Sequence, residues 1–262
     1  MSNTSYAFEL QTVQSGAFRI LIEALKEILT DANFIFDSSG IKIMAMDSSH
    51  TVLVHLKLFS DKFETYYCDN KVTVGIAMMN FYKLIKTMSN NDHLTLFLPK
   101  NDLNNLGIRI ENSEKNTRTT YFMKLMDLNE ETIEIPPAQF DSILTIPSND
   151  FQKIIRDMSN ISEIMEIKNV GDELIFSCAG DFASQETRMG PSQGMTFDEE
   201  PEEDEIIQGI YALKHLVLFT KCTNLCSSIQ LFLKNDYPLI IKYPVANLGE
   251  IKLCLAPKVD EN

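Results

Sequence analysis

The sequence predicts an α+β protein of two similar domains, each a duplicated unit of one helix and several antiparallel strands. Two observations lead there: the same apolar stripe recurs at four places along 262 residues, and the stretches between the stripes alternate with the period of strands. Phe18, Leu21, Ile22 and Leu25 form the first stripe and Phe81, Leu84, Ile85 and Met88 the second. Phe151, Ile154, Ile155 and Met158 form the third, and Leu213, Leu216, Val217 and Thr220 a looser fourth. Residues three and four apart share one side of a helix, so each set makes a narrow face that needs a sheet to cover it. The first and third stripes start 133 residues apart and the second and fourth 132 apart. One such match is cheap; four at matching long spacings imply an internal duplication.

Strand-like segments are Gly40–Ser49, Thr51–Phe59, Lys71–Met78, His93–Pro99, Leu106–Asn112 and Thr119–Met126 in the first half. In the second half they are Glu163–Val170, Glu173–Gly180, Ser228–Asn235, Pro238–Val245 and Gly249–Ala256. Turn signals separate them at Ser39-Gly40, Asn90-Asn91-Asp92, Gly171-Asp172 and Asn235-Asp236. Ser148 or Asn149 is placed to cap the helix ahead of Phe151. An N-terminal domain over 1–125 and a C-terminal domain over 141–262 flank a connector, 126–140, stopped by Pro136-Pro137. A second special loop, Asp198–Glu205, holds seven acids in eight positions and reads as solvated and mobile.

With 37 acidic and 23 basic side chains the net charge is -14, which excludes a protein coated with nucleic acid through one basic surface but allows local basic patches. No run of 18 uncharged apolar residues predicts a membrane span, and the N-terminal MSNTSYAFEL does not read as a signal peptide. Five irregularly spaced cysteines fit reduced thiols in a cell interior better than a disulfide scaffold. Cys222 and Cys226 have helical ligand spacing, but no neighbouring His or acid completes a metal site. Neither cofactor nor metal is called for. No nucleotide-binding, hydrolase or zinc-protease motif is present. Asp47, Ser48, Ser49 and His50 hold the ingredients of a triad as sequence neighbours, which favours a turn or partner contact, because triads assemble from distant segments. His55 reads as structural. The pairs Asp150/Asp157 and Asp31/Asp37 read as solvated surface or caps.

Opposite the apolar stripes lie Arg19 and Lys26, Lys83 and Lys86, Lys153 and Arg156, then Lys214, His215 and Lys221. On one helix such cations are ordinary solvated surface. On four helices facing one way they make a weakly positive surface, diluted by Glu23, Glu27, Asp150 and Asp157, suited to base-independent phosphate contact.

The stretches DSSGIKIMAMDSSHTVLVHL (Asp37–Leu56), YYCDNKVTVGIAM (Tyr66–Met78), MKLMDLN (Met123–Asn129), IPSNDFQKIIRDMSNI (Ile146–Ile161) and LAPKVDE (Leu255–Glu261) together resemble the proliferating cell nuclear antigen family of DNA sliding clamps. The likeness runs from near the start to the end and is weakest over Asn101–Thr120 and Gly180–Ile210. It implies the DNA clamp fold and a homotrimeric ring around duplex DNA, without catalysis or membrane contact. Such a ring tethers DNA polymerase, with clamp loader, nuclease and ligase docking through groove-binding peptides, in the nucleus or a viral replication compartment. A subunit of a checkpoint-type heterotrimer is the alternative, disfavoured by the intact MDSSH, MKLMDL and LAPK elements. By the resemblance the DNA-facing residues are Arg19, Lys26, Lys83, Lys86, Lys153, Arg156, Lys214 and Lys221, with Ile20 replacing one further lysine. The partner groove falls on Met46, His50, Ile133, Ile135, Pro136, Phe140, Ala212, Pro238, Cys254 and Ala256. Cys254 and Phe140 stand where the family carries tyrosines, and Gly171 where it carries a modified lysine, with Lys168 nearby but out of register. Subunit contacts are expected between edge strands near Thr117–Phe122 and Ala183–Met189, whose Arg118, Glu186 and Arg188 suggest more ion pairs and fewer apolar contacts.

Overall fold

The structure is a computed structural model and describes residues 5–129, 133, 138–192, 194–199 and 205–258. These form two compact units. One comprises the described residues of Met1–Ser48, Val54–Ile133 and Val245–Ile251, the other those of Ser49–Leu53, Glu134–Pro244 and Lys252–Asn262.

The first unit runs β1 (Tyr6–Thr12), α1 (Ser15–Ile28), β2 (Asp31–Asp37), β3 (Gly40–Met46), β4 (Val52–Phe59), β5 (Thr65–Cys68), β6 (Val72–Ala77), α2 (Met78–Ile85), β7 (His93–Pro99), β8 (Asn105–Asn112) and β9 (Thr117–Lys124). Strands β5-β1-β7-β8-β9 make one sheet, and β4, β3, β2 and β6 lie side by side in that order in another. Phe8 of β1 stacks on Phe36 of β2 with ring centroids 3.9 Å apart, joining the two sheets in one core. Phe18, Leu21, Ile22 and Leu25 of α1 are at most 1% exposed. Phe18 meets Phe81 of α2 edge-on at 6.1 Å, and Phe81 meets Phe34 of β2 at 6.2 Å. The aromatics at the heads of these two stripes therefore fix helix to helix and, through Phe81, helix to sheet.

The second unit runs β10 (Ser142–Pro147), α3 (Ser148–Ser159), β11 (Ile164–Val170), β12 (Glu173–Ala179), β13 (Ser184–Met189), β14 (Thr196–Glu199), β15 (Ile206–Ala212), α4 (Leu213–Phe219), β16 (Ser228–Leu233), β17 (Leu239–Val245) and β18 (Gly249–Leu255). Its sheets are β13-β12-β11-β15 and the run β14-β10-β16-β17. Phe151, Ile154, Ile155 and Met158 of α3 are buried, and Phe151 packs on Phe176 of β12 at 6.3 Å. Each unit thus repeats the pattern of helices closed by antiparallel sheets that the stripes predict.

The elements depart from the sequence expectation in places with readable causes. Helix α2 starts at Met78 rather than Phe81, since Ala77, the last residue of β6, turns directly into it. Helix α4 ends at Phe219 and continues as a 3₁₀ turn, Thr220–Leu225, which explains why Val217 and Thr220 made a looser stripe. Ser148 does not cap α3. It is already the first helical residue, 1% exposed, and its hydroxyl donates instead to the carbonyl of Cys226 at 2.7 Å. Ile135, Pro136 and the centre of the acidic loop, 200–204, lie outside the described residues.

The β2–β3 hairpin shows how the turn chemistry works. The Asp37 carboxylate accepts from the Ser39 backbone N–H at 2.7 Å, the Ser39 hydroxyl at 2.5 Å and the Lys42 ammonium at 2.8 Å. Gly40 has φ +134°, and an added Cβ would lie 1.9 Å from the Leu58 carbonyl, so no other residue fits. Tyr66 donates its hydroxyl to the carbonyls of Asp37 and Gly40 at 2.8 and 2.7 Å. Partial burial pushes the Asp37 carboxyl up, but the bonds from Lys42 and Ser39 outweigh it and hold it at about 2. A carboxyl depressed in the folded state stabilises above its unfolded pKa and loses that contribution as pH falls toward the folded value. Asp37→Asn is expected to cost about 1 kcal/mol near pH 7, after allowing for solvent screening, with the difference shrinking from pH 5 downward. Urea unfolding of both proteins across this pH range checks it; a gap that stays constant with pH contradicts it.

Candidate nucleic-acid interface and partner surface

The outward faces of the four helices differ in what their cations are free to do. On α1, Lys26 has only a tenth of its side chain exposed. Its ammonium is paired with Glu27 and lies 4.9 Å from the Tyr82 ring centroid. Arg19 is half-buried and its Nε is a buried atom without a hydrogen-bond partner. Tyr82, from α2, has its hydroxyl pushed up by partial burial and by its hydrogen bond with Glu23. Glu27, Lys26, Tyr82 and Glu23 are therefore linked in one run of contacts, with the Arg19 charge near Tyr82. Ile20, at the position of the missing family lysine, is half-buried beside it.

The other three helices present their cations to solvent. Lys83 and Lys86 of α2, Lys153 and Arg156 of α3, and Lys214 of α4 are exposed, as is Lys221 in the 3₁₀ turn. Arg156 lies 3.5 Å from Asp157, a pair too exposed to bind it strongly. His215 is not among the exposed cations: it is 7% exposed because α4 is covered by α3, the 3₁₀ turn and β15, leaving only the Lys214 side open. The position of each free cation follows from the stripe it opposes, since burying one side of a helix fixes which residues point away.

The residues assigned to the partner groove are placed as follows within each unit. In the first, Met46 and Ile133 line a cleft of about 470 Å³ whose other walls include Asp31, Asn33, Met44 and Lys71. The chain after β9 is held against this unit by the Met126 N–H donating to the Gly75 carbonyl at 2.9 Å, and by Asn33 donating to the Asn129 carbonyl at 3.3 Å. Gly75 is needed there: a Cβ would lie 2.3 Å from the Met126 carbonyl. In the second unit, His50 is exposed on a turn with φ 54°, Pro238 and Ala256 are half-buried, and Ala212 is buried. Phe140 is half-buried and stands edge-on to Phe232 at 5.4 Å and Tyr237 at 5.6 Å. Cys254 is 8% exposed and burial pushes its thiol up to about 11, so it supports this surface from beneath and offers almost no contact area. Phe232, Tyr237, Tyr82 and the cleft residues Asn33 and Lys71 were not picked out by sequence, and Asp31 was read only as surface or a cap. Tyr82 alone carried a signal, sitting beside Lys83 opposite the second stripe.

The remaining candidates have structural settings. Burial pushes the thiols of Cys222 and Cys226 up to about 12 and 11, away from the thiolate form a metal requires. Among the described residues no group of three or more His, Cys, Asp or Glu side chains is placed to hold a metal. Gly171 sits at φ 54° in the β11–β12 turn, and Lys168 is paired with Glu166 at 2.9 Å. No helix of the described residues is long and apolar enough to cross a membrane.

Two sequence profiles match this chain: proliferating cell nuclear antigen, N-terminal domain, over residues 7–132, and proliferating cell nuclear antigen, C-terminal domain, over residues 134–258. The chain belongs to the proliferating cell nuclear antigen family. A relative from Paramecium bursaria Chlorella virus 1, described as a probable DNA polymerase sliding clamp 1, is 36% identical over 261 residues, covering 98% of this chain and 99% of the relative. The protein is thus a clamp of this type, a DNA-binding replication scaffold and not an enzyme.

The split between α1 and the other helices has a measurable consequence for this clamp. Each exposed cation that neutralises a phosphate contributes roughly one to the slope of log affinity against log salt. Lys83→Ala is expected to reduce that slope by about one, and Lys26→Ala by clearly less, because Lys26 is already held by Glu27 and Tyr82. Titration of duplex DNA at several salt concentrations reads both slopes; equal reductions contradict the sequestration of Lys26.

Proposed function

We propose that three copies of this chain close into a ring around duplex DNA and slide on it, holding DNA polymerase at the template and so conferring processivity. The observation that carries this reading is the exposed cation set on α2, α3, α4 and the 3₁₀ turn of a family member whose net charge is -14. An acidic protein that keeps its free cations on helix faces holds DNA loosely there and repels it elsewhere. Contacts of this kind are with phosphates and carry no sequence information, which suits a sliding partner. The DNA-facing residues are Lys83, Lys86, Lys153, Arg156, Lys214 and Lys221, with Arg19 and Lys26 in a secondary role.

Polymerase, clamp loader, nuclease and ligase dock by short peptides on Met46, His50, Ile133, Ile135, Pro136, Phe140, Pro238 and Ala256, with Ala212 and Cys254 beneath. Phe140, held by Phe232 and Tyr237, offers an aromatic wall without the hydroxyl of a tyrosine. The 1–125 and 141–262 halves act as the two clamp domains of each subunit, joined by 126–140. A clamp encoded by a cell works in the nucleus, and one encoded by a virus in the viral replication compartment.

Loading onto nicked circular duplex by a clamp loader tests the ring directly. Retained protein is expected to leave the DNA when the circle is cut to a linear form, because a ring is held by topology and not by affinity. The combined change of Lys83, Lys86, Lys153 and Arg156 to alanine is expected to shorten retention and reduce the length of DNA made per binding event. Retention that survives linearisation, or is unaffected by the four substitutions at moderate salt, contradicts the proposal.

A further inference from the structure

The four-stranded sheet β13-β12-β11-β15 buries one face and leaves the other open. On the buried face Phe176 of β12 meets Phe151 of α3, and Met165, Ile167, Ile207 and Tyr211 are covered with it. Strand side chains alternate, so Glu166, Lys168 and Val170 of β11 point the other way. Ile210, Gln208 and Ile206 of β15 stand opposite them in that order. On this open face Val170 is 39% exposed and Ile206 49%. Directly opposed residues of neighbouring strands lie side by side, so the two form one apolar spot. A single exposed aliphatic is ordinary surface, whereas a cross-strand pair is the start of a contact patch.

Both members of the pair are fixed. Next to Val170, the Asn169 side chain is completely buried and donates to the carbonyls of Gly171 and Glu173 at 2.9 and 3.0 Å. The Asn235 side chain donates to the Ile206 carbonyl at 2.9 Å and accepts from the Gln208 backbone N–H at 2.8 Å. Val170 and Ile206 are β-branched, so their χ1 freedom is already restricted. Side chains held in this way lose little freedom on association. Gly171, in the turn beside Val170, has nothing within 4 Å of where a Cβ would stand, so the approach is clear. β11 and β15 are also the strands farthest from β13, where contacts between copies are expected.

The charges around the pair select what fits it. Glu173 stands opposite Val170 on β12, Asp172 is exposed in the turn, and Glu205 directly precedes Ile206. The cations of this face are committed. Lys168 pairs with Glu166 at 2.9 Å, and Arg188 pairs with Glu173 at 3.0 Å and Glu186 at 2.8 Å. Asp172 and Glu205 therefore add negative charge that no cation of this face balances. Such a surface repels phosphate, so neither DNA nor an anionic lipid surface suits it. It suits a polypeptide that brings an apolar side chain flanked by lysine or arginine.

We infer that the open face of β11 and β15 is a docking surface for a basic protein segment. That segment seats an aliphatic or aromatic side chain on Val170 and Ile206 and sets lysine or arginine against Asp172 and Glu205. Its four contact residues are none of those assigned above to DNA or to the partner groove, and it stands whether or not three copies close into a ring.

The test selects displayed random peptides on the intact protein and depletes them on the Val170→Thr/Ile206→Thr double variant. Threonine keeps the β-branched shape and strand preference of both positions, so the variant is expected to match the parent in circular dichroism and in DNA retention. Peptides that survive depletion are expected to carry lysine or arginine beside an aliphatic or aromatic residue. Their affinity by titration calorimetry should fall roughly 10-fold or more on the double variant, as loss of an interface anchor does. Asp172→Lys combined with Glu205→Lys should weaken them as strongly, and added salt should weaken them on the parent. Phe140→Ala, in the groove, should leave them unchanged. If threonine disturbs the fold, depletion on the charge-reversed variant gives the same reading. Three results overturn the surface: no peptide survives depletion, the survivors are acidic, or they bind the charge-reversed variant as tightly as the parent.

Discussion

Everything in this molecule depends on burying one narrow apolar stripe of each short helix against antiparallel sheets. Helices of 7 to 14 residues are marginal alone, so tertiary packing and not intrinsic propensity holds them. Phe18 and Phe81 in the first unit and Phe151 in the second are completely or almost completely buried and touch aromatic rings on a neighbouring helix or strand. Once that side is fixed, the opposite side has no choice of direction. The placement of Lys83, Lys86, Lys153, Arg156 and Lys214 is a consequence of core packing, and on each helix the basic side is inherited from the hydrophobic one.

Electrostatics then separates the helices. Lys26 of α1 is held by Glu27 and Tyr82 and Arg19 is half-buried, whereas the cations of α2, α3 and α4 stay in water. A weakly positive surface within a strongly acidic chain gives shallow attraction, which is what movement along DNA requires: a saturated surface would hold the duplex in place. The segments 127–134 and 198–205 supply eleven of the 37 acidic side chains, so the negative charge is concentrated away from the helix sequences.

The stripes and the alternating strands were legible because they answer to geometry that repeats every 3.6 or 2 residues. Strand β7 coincides with its expected span, His93–Pro99. Strands β1, β2, β5, β10, β14 and β15 were not legible. Strand β5 is four mostly polar or aromatic residues, and β2 begins and ends with aspartates that read as turn or surface. Side-chain roles set by non-local contacts were also hidden. Ser148 bonds to Cys226, far along the chain, and nothing local distinguishes that from a cap. His215 and Lys26 have the right helical phase for a basic face and lose it to neighbouring elements, α3 in one case and Tyr82 in the other. Cys254 marks a groove position by resemblance, yet only the fold reveals that its thiol is covered.

The most direct measurement of the central claim is lysine acetylation read by mass spectrometry, with the clamp free and with it loaded on closed circular duplex. The account predicts protection at Lys83, Lys86, Lys153, Lys214 and Lys221. It predicts a low, unchanged signal at Lys26 and no protection at Lys62 or Lys100, exposed lysines that belong to none of α1 to α4. Protection spread evenly over all exposed lysines, or concentrated outside the helices, would contradict it.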